Sequence, residues 1–94
     1  MLEEGGVNIY PNPTTGRFNV QVTSTRFESL EVEVYSKEGR FITSKRWPKV
    51  VFGQVLPIDL SYMPVGVYTI KVKASNVYEP FRYEVGGFRV SIIR

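Results

Sequence analysis

Period-two alternation runs along almost the whole chain and confines it to sheets. Leu30, Val32 and Val34 alternate with Glu31, Glu33 and Tyr35, so an extended strand there has one aliphatic and one polar face. Phe18, Val20 and Val22 repeat the pattern, as do Leu56, Ile58 and Leu60, then Tyr68, Ile70, Val72 and Ala74. Val7 and Ile9 open the series; Phe81, Tyr83 and Val85, then Phe88, Val90 and Ile92, close it. No helix of normal length, internal repeat or low-complexity tract interrupts it.

Strong turn signals separate these runs. The densest is Tyr10-Pro11-Asn12-Pro13-Thr14-Thr15-Gly16-Arg17-Phe18. Pro11 and Pro13 each lack a backbone donor and push the residue before them toward extended geometry. Asn12 can close an Asx-type turn, and Gly16 can take positive φ. Ser36-Lys37-Glu38-Gly39 predicts a tight hairpin, after which residues 40–47 pair back with less regular alternation, so partial exposure or a bulge is expected. Residues 48–53 read as a loop carrying apolar side chains. Pro57 marks its strand as an edge strand. Asp59 or Ser61 can cap a single helical turn that Pro64 stops, and Gly66 leads into the next strand. Gly86-Gly87 reads as a hairpin turn. Seven to eight short strands with such punctuation predict an all-β chain folded as a single immunoglobulin-like antiparallel β-sandwich.

Composition narrows the chemistry. The 94 residues fit one domain, with residues 1–6 an initiator and linker and residues 7–94 the sandwich. Cysteine and histidine are both absent, which removes disulfides, thiolate sites, the commonest general base and the commonest metal ligand. The net charge of +3 is spread over scattered basic residues, which argues against a nucleic-acid partner. No apolar run approaches a spanning helix, and no secretory leader pattern opens the sequence.

No group of residues looks activated. Glu31 and Glu33 share a strand face and could imitate a carboxylate pair, but a solvated face is the simpler reading. Asp59 reads as a turn cap rather than a catalytic acid. Trp47, Tyr62, Tyr68, Tyr78 and Tyr83 could line a sugar or peptide platform; packing is the simpler account, with Tyr78 expected to be exposed. The sequence predicts no enzyme and no cofactor, metal or catalytic residue.

The order of motifs carries more than any one of them. Ile9-Tyr10-Pro11-Asn12-Pro13-Thr14-Thr15-Gly16-Arg17-Phe18 is followed by Val32-Glu33-Val34-Tyr35-Ser36-Lys37-Glu38-Gly39-Arg40. Then comes Pro57-Ile58-Asp59-Leu60-Ser61-Tyr62-Met63-Pro64-Val65-Gly66-Val67-Tyr68. This series resembles the type A C-terminal sorting domains of the type IX secretion system of Bacteroidetes. Pro11, Asn12, Pro13, Gly16, Gly39, Asp59, Gly66 and Tyr68 are the positions that match the family's structural motifs. The chain departs from the pattern in a longer excursion over residues 74–87 and in a tail with arginines and no lysine.

The resemblance implies a non-enzymatic passenger label that takes a parent protein, joined upstream, across the outer membrane by way of the periplasm to the cell surface or medium. Its implied partners are the type IX translocon, its shuttle components and a sortase-like surface protease. That protease would cut in the linker, here at Glu4, Gly5 and Gly6. The export signal maps by position onto the tail, with Phe88, Arg89, Val90, Ile92 and Arg94 as recognition residues. A final edge strand could accept a receptor strand by β-augmentation, and Arg89 and Arg94 could complement an acidic receptor. The alternative is an accessory or adhesion module that binds carbohydrate or protein on a secreted enzyme. Free edges make the expected state a monomer or a weak edge-strand dimer.

Overall fold

The computed structural model describes the backbone of residues 2–76 and 83–94, and side chains for residues 5–76 and 84–94. Eight strands follow in order: β1 (Leu2–Glu4), β2 (Val7–Tyr10), β3 (Arg17–Val22), β4 (Phe27–Tyr35), β5 (Phe41–Trp47), β6 (Val55–Asp59), β7 (Gly66–Asn76) and β8 (Tyr83–Ile92). They form two four-stranded antiparallel sheets, ordered β1-β2-β3-β6 and β5-β4-β7-β8. With β2, β3 and β6 facing β4, β7 and β8, the chain crosses between layers as in an immunoglobulin-like sandwich.

The alternating positions meet between the sheets. Val7, Ile9, Phe18, Val20, Val22, Leu56 and Ile58 come from one layer. Leu30, Val32, Val34, Tyr68, Ile70, Val72, Ala74, Phe88, Val90 and Ile92 come from the other, all buried. Fully burying each Val, Leu, Ile or Phe side chain is worth about 1.5–3 kcal/mol, so this shared face holds the layers together. Val50 is buried, while Val51 and Phe52 beside it are exposed, as befits a loop that carries apolar residues.

Among the described residues β6, which contains Pro57, pairs only with β3, so proline's missing donor falls on an edge strand. The irregular alternation after Arg40 has its cause in a register shift opposite Val34 and Tyr35. Phe41 pairs with Tyr35, the rings meeting edge to face at 5.7 Å, while Ile42 packs on the core.

Three expectations are corrected. Residues 2–6 do not form a plain linker: Leu2–Glu4 pairs with β2, closing on Gly5 (φ 62°) and Gly6 (φ 104°), a two-residue turn whose positive φ values suit glycine. Gly86-Gly87 is not a turn. Both glycines continue β8, opposite Val72 and Lys71, and a register shift nearby leaves Val85 as the extra residue. Glycine permits a turn but does not compel one, and pairing along β7 keeps the backbone extended. The segment after Asp59 is a turn without a helix, closed by the Met63 amide on the Leu60 carbonyl at 2.9 Å. Tyr78, the start of the run expected at Phe81, and most of the loop expected at 75–80 lie outside the described residues.

Candidate functional site

The motif positions converge on one end of the sandwich. After β2 the chain passes through cis Tyr10-Pro11 and cis Asn12-Pro13 bonds. Asn12 then faces β8. Its Nδ2 donates to the Arg89 carbonyl at 2.9 Å, and its Oδ1 accepts the Ser91 amide at 3.0 Å. One side-chain amide thus does what a neighbouring strand would do, supplying a donor and an acceptor to a strand edge. Thr14 continues the seam as an isolated parallel bridge to Ile92. Its amide donates to the Ser91 carbonyl at 2.9 Å, and the Ile93 amide donates to the Thr14 carbonyl at 2.8 Å. The outer edge of β8 is therefore occupied across residues 89–93, which corrects the expectation of a free final edge there.

The turn after β6 locks onto the same end. Asp59 Oδ1 accepts the Ser61 amide at 2.8 Å, the capping geometry expected of it. Hydrogen bonds from Ser61, together with the nearby Arg17, hold the Asp59 carboxyl below the ordinary aspartate range. Arg17 Nε lies 3.4 Å from Asp59 Oδ2 in an exposed pair. The Leu60 amide donates to the Gly16 carbonyl at 2.8 Å, and a Cβ on Gly16 (φ 137°) would stand 2.7 Å from the Ser61 Cα. Glycine is required there by both conformation and close approach.

Two further contacts complete the end. Arg94 donates from one terminal nitrogen to the Met63 carbonyl and from the other to the Ser61 carbonyl, each at 2.7 Å. Arginine's planar fork suits this two-point grip. The Tyr68 hydroxyl donates to the Pro64 carbonyl at 2.6 Å. A buried tyrosine near the start of the sixth immunoglobulin strand, bonded to the backbone a few residues upstream, is the tyrosine corner of such sandwiches. Sequence reading assigned Tyr68 to a motif but missed this role; its signal was a tyrosine two residues after the Gly66 that opens the strand.

The five tail residues separate into two groups. Phe88, Val90 and Ile92 point into the core, whereas Arg89 and Arg94 are exposed. Gly39 (φ 86°) closes the β4–β5 hairpin, with its amide on the Ser36 carbonyl at 2.9 Å and open space around its Cα. Gly66 leads β7 opposite Ile92. Glu4, Gly5 and Gly6 lie at the opposite end, where the Thr23 amide donates to the Gly6 carbonyl at 2.7 Å.

On β4, Glu33 is held by a cation and a hydroxyl. Glu33 Oε1 is 3.2 Å from Lys73 Nζ and accepts the Tyr35 hydroxyl at 3.1 Å. Burial pushes the Glu33 carboxyl up, but Lys73 and Tyr35 as donors, with the charges of Lys73 and Lys71, outweigh it and hold it below the ordinary range. Lys71 lies over the Tyr35 ring at 4.9 Å. Among the described side chains the platform candidates are dispersed: Trp47 is half-buried with Lys45 over its ring, Tyr68 forms the corner, and Tyr62 is exposed; the side chains of Tyr78 and Tyr83 lie outside those described.

Fold and contacts together define a two-layer antiparallel β-sandwich that binds its own C-terminal strand with its sequence motifs. The family model described as secretion system C-terminal sorting domain matches residues 8–79, and the chain belongs to this family. It is a type IX secretion sorting domain, which entails association with that secretion machinery and with a parent protein, and export across the outer membrane. The family is not an enzyme class. No curated protein and no solved structure matches the chain.

Proposed function

We propose that the domain takes a parent polypeptide, joined upstream, through the type IX translocon with the help of shuttle components. A sortase-like surface protease then releases it near Glu4, Gly5 and Gly6. The supporting observation is the convergence of the proline corner, the Asp59–Ser61 turn and the Tyr68 corner at the end where β8 finishes. These are the family's motif positions, and the strand they brace carries the residues assigned to the export signal.

The two groups of tail residues imply two ways of being read. A partner that binds the folded domain meets Arg89 and Arg94. A partner that binds Phe88, Val90 and Ile92 meets them only while β8 is out of the sandwich, because folded they are in the core. Release has a similar requirement. A protease that takes its substrate extended reaches Glu4 to Gly6 only after the short hairpin with β2 opens.

The test is a fluorescent reporter fused upstream of residues 1–94, expressed in a type IX-competent strain and in one lacking the translocon. Appearance outside the first strain alone, free of the domain, is the expected result. A folded reporter held in the periplasm of both strains overturns the proposal.

A further inference from the structure

A sandwich with two open sheets has four edges, and three of them are compromised here. The edge of β8 is occupied by Asn12 and Thr14. The edge strand β6 contains Pro57, which has no amide to donate. The edge strand β1 is three residues long. That leaves β5, seven residues long and paired only with β4 among the described residues.

The side chains of β5 do not seal that flank. Thr43 and Lys45 pair with Val34 and Val32, so they lie on the core-facing side, where an apolar residue would be expected. Strands β5 and β6 do not pair across the opening. A cleft of about 200 Å³ remains there, lined by Val32, Val34, Ile58 and Leu60 together with Lys45, Tyr62 and the single carboxylate Asp59, which is paired with Arg17. The stretch from Arg40 to Lys49 contains four cations (Arg40, Lys45, Arg46 and Lys49) and no acid, and the acid facing one of these cations across the β4–β5 ladder is Glu31, opposite Arg46. Like charges on an edge strand oppose its pairing with a second copy and favour a partner of opposite sign.

We propose that β5 is a strand-addition site for an extended acidic segment of another protein. The segment pairs with the backbone of residues 43–47, sets alternate apolar side chains over the cleft beside Lys45, and places its carboxylates on the opposite face, beside Arg46. This inference goes beyond the export reading and does not depend on it, since binding is measured on the isolated domain.

The probe is a fluorescein-labelled peptide of about ten residues that alternates glutamate and valine, with a lysine-for-glutamate version as control. Both are titrated into the 94-residue chain, and amide exchange is followed by NMR. The acidic peptide is expected to bind about tenfold or more tightly than the control, to weaken as salt rises, and to protect amides in residues 43–47. The double variant Lys45→Gln/Arg46→Gln, which sets no like charge opposite Glu31, should abolish the preference with a melting curve close to the wild type; a preference that persists in it overturns the proposal. Equal binding of the two peptides, or protection confined to another edge, overturns the proposal. Protection of residues 43–47 that grows with protein concentration in the absence of peptide also overturns it and assigns the edge to a second copy.

Discussion

Asn12 and Ser91 stand 79 positions apart in the chain and are joined by a 3.0 Å hydrogen bond from the Ser91 amide to Asn12 Oδ1. The other end of the same side chain donates to the Arg89 carbonyl. The corner that opens the domain therefore holds the strand that closes it. Asn12→Ala removes both bonds and should cost about 1–3 kcal/mol of stability. Asn12→Asp keeps the acceptor for Ser91 but sets an oxygen against the Arg89 carbonyl, so it should rescue little. Urea denaturation gives the cost, and amide exchange at Ser91 and Ile93 locates it. A loss below about 0.5 kcal/mol, the range of ordinary surface changes, would show that the brace contributes nothing.

Gly16 and Gly39 both have positive φ but should respond differently to alanine. At Gly16 the new methyl meets the Ser61 Cα at 2.7 Å, so backbone must move as well as strain, and a loss of about 2–4 kcal/mol is expected. At Gly39 nothing lies within 4 Å, and the conformational penalty alone predicts about 1–2 kcal/mol. Equal losses in thermal melts would remove the argument from close approach.

The two groups of tail residues separate folding from recognition. Ile92→Ala empties part of the core and should cost about 2–5 kcal/mol. Arg89→Ala changes an exposed side chain and should stay within about 0.5 kcal/mol of the wild type. Export assays on both variants, beside their melting temperatures, show which property the machinery reads. Loss of export in Arg89→Ala at unchanged stability means contact with the folded surface. Loss only in Ile92→Ala means that export follows the core residues of β8.

The Glu33–Lys73 pair predicts a pH profile. Glu33 is held below its ordinary value of 4.5, so its contribution is fully present above that pH and is lost as pH falls through the folded value. Asp59, held below 3.8, adds to the same acid limb. Lys73 is raised above 10.5, chiefly by its hydrogen bond to Glu33, so its contribution is present below that pH and fades as pH climbs through the folded value. Melting temperature should be flat near neutrality and fall on both sides. Glu33→Gln should flatten the acid limb and weaken the alkaline one; an unchanged acid limb would exclude Glu33 as its source.

Removing the Arg94 fork tests the last link. Arg94→Ala gives up two exposed hydrogen bonds to the turn after β6 and should lower stability by about 0.5–1.5 kcal/mol. Arg94→Lys, with a point charge in place of a planar fork, should recover less than half of that loss. Full recovery by lysine in denaturation curves would mean that charge, not two-point geometry, holds the tail.

Strand positions and their buried faces were legible from residues alone. Alternation is a local property: in an extended backbone Phe18, Val20 and Val22 must share a face whatever lies around them. The Asp59 cap was legible for the same reason, since its partner Ser61 is two residues away. Pro57 marked an edge strand because a missing donor has the same consequence in any sheet. Gly86-Gly87 and residues 2–6 were not legible. Glycine tolerates both turn and strand, and pairing with β7 or β2 made the selection. Nor could local pattern show that Asn12 would grip β8, that Arg94 would clasp the turn after β6, or that Lys45 would line a cleft beside the outer strand of its sheet. Those contacts join residues distant in the chain, and they exist only once burial of the two apolar faces has stacked the sheets and brought those residues within hydrogen-bonding reach.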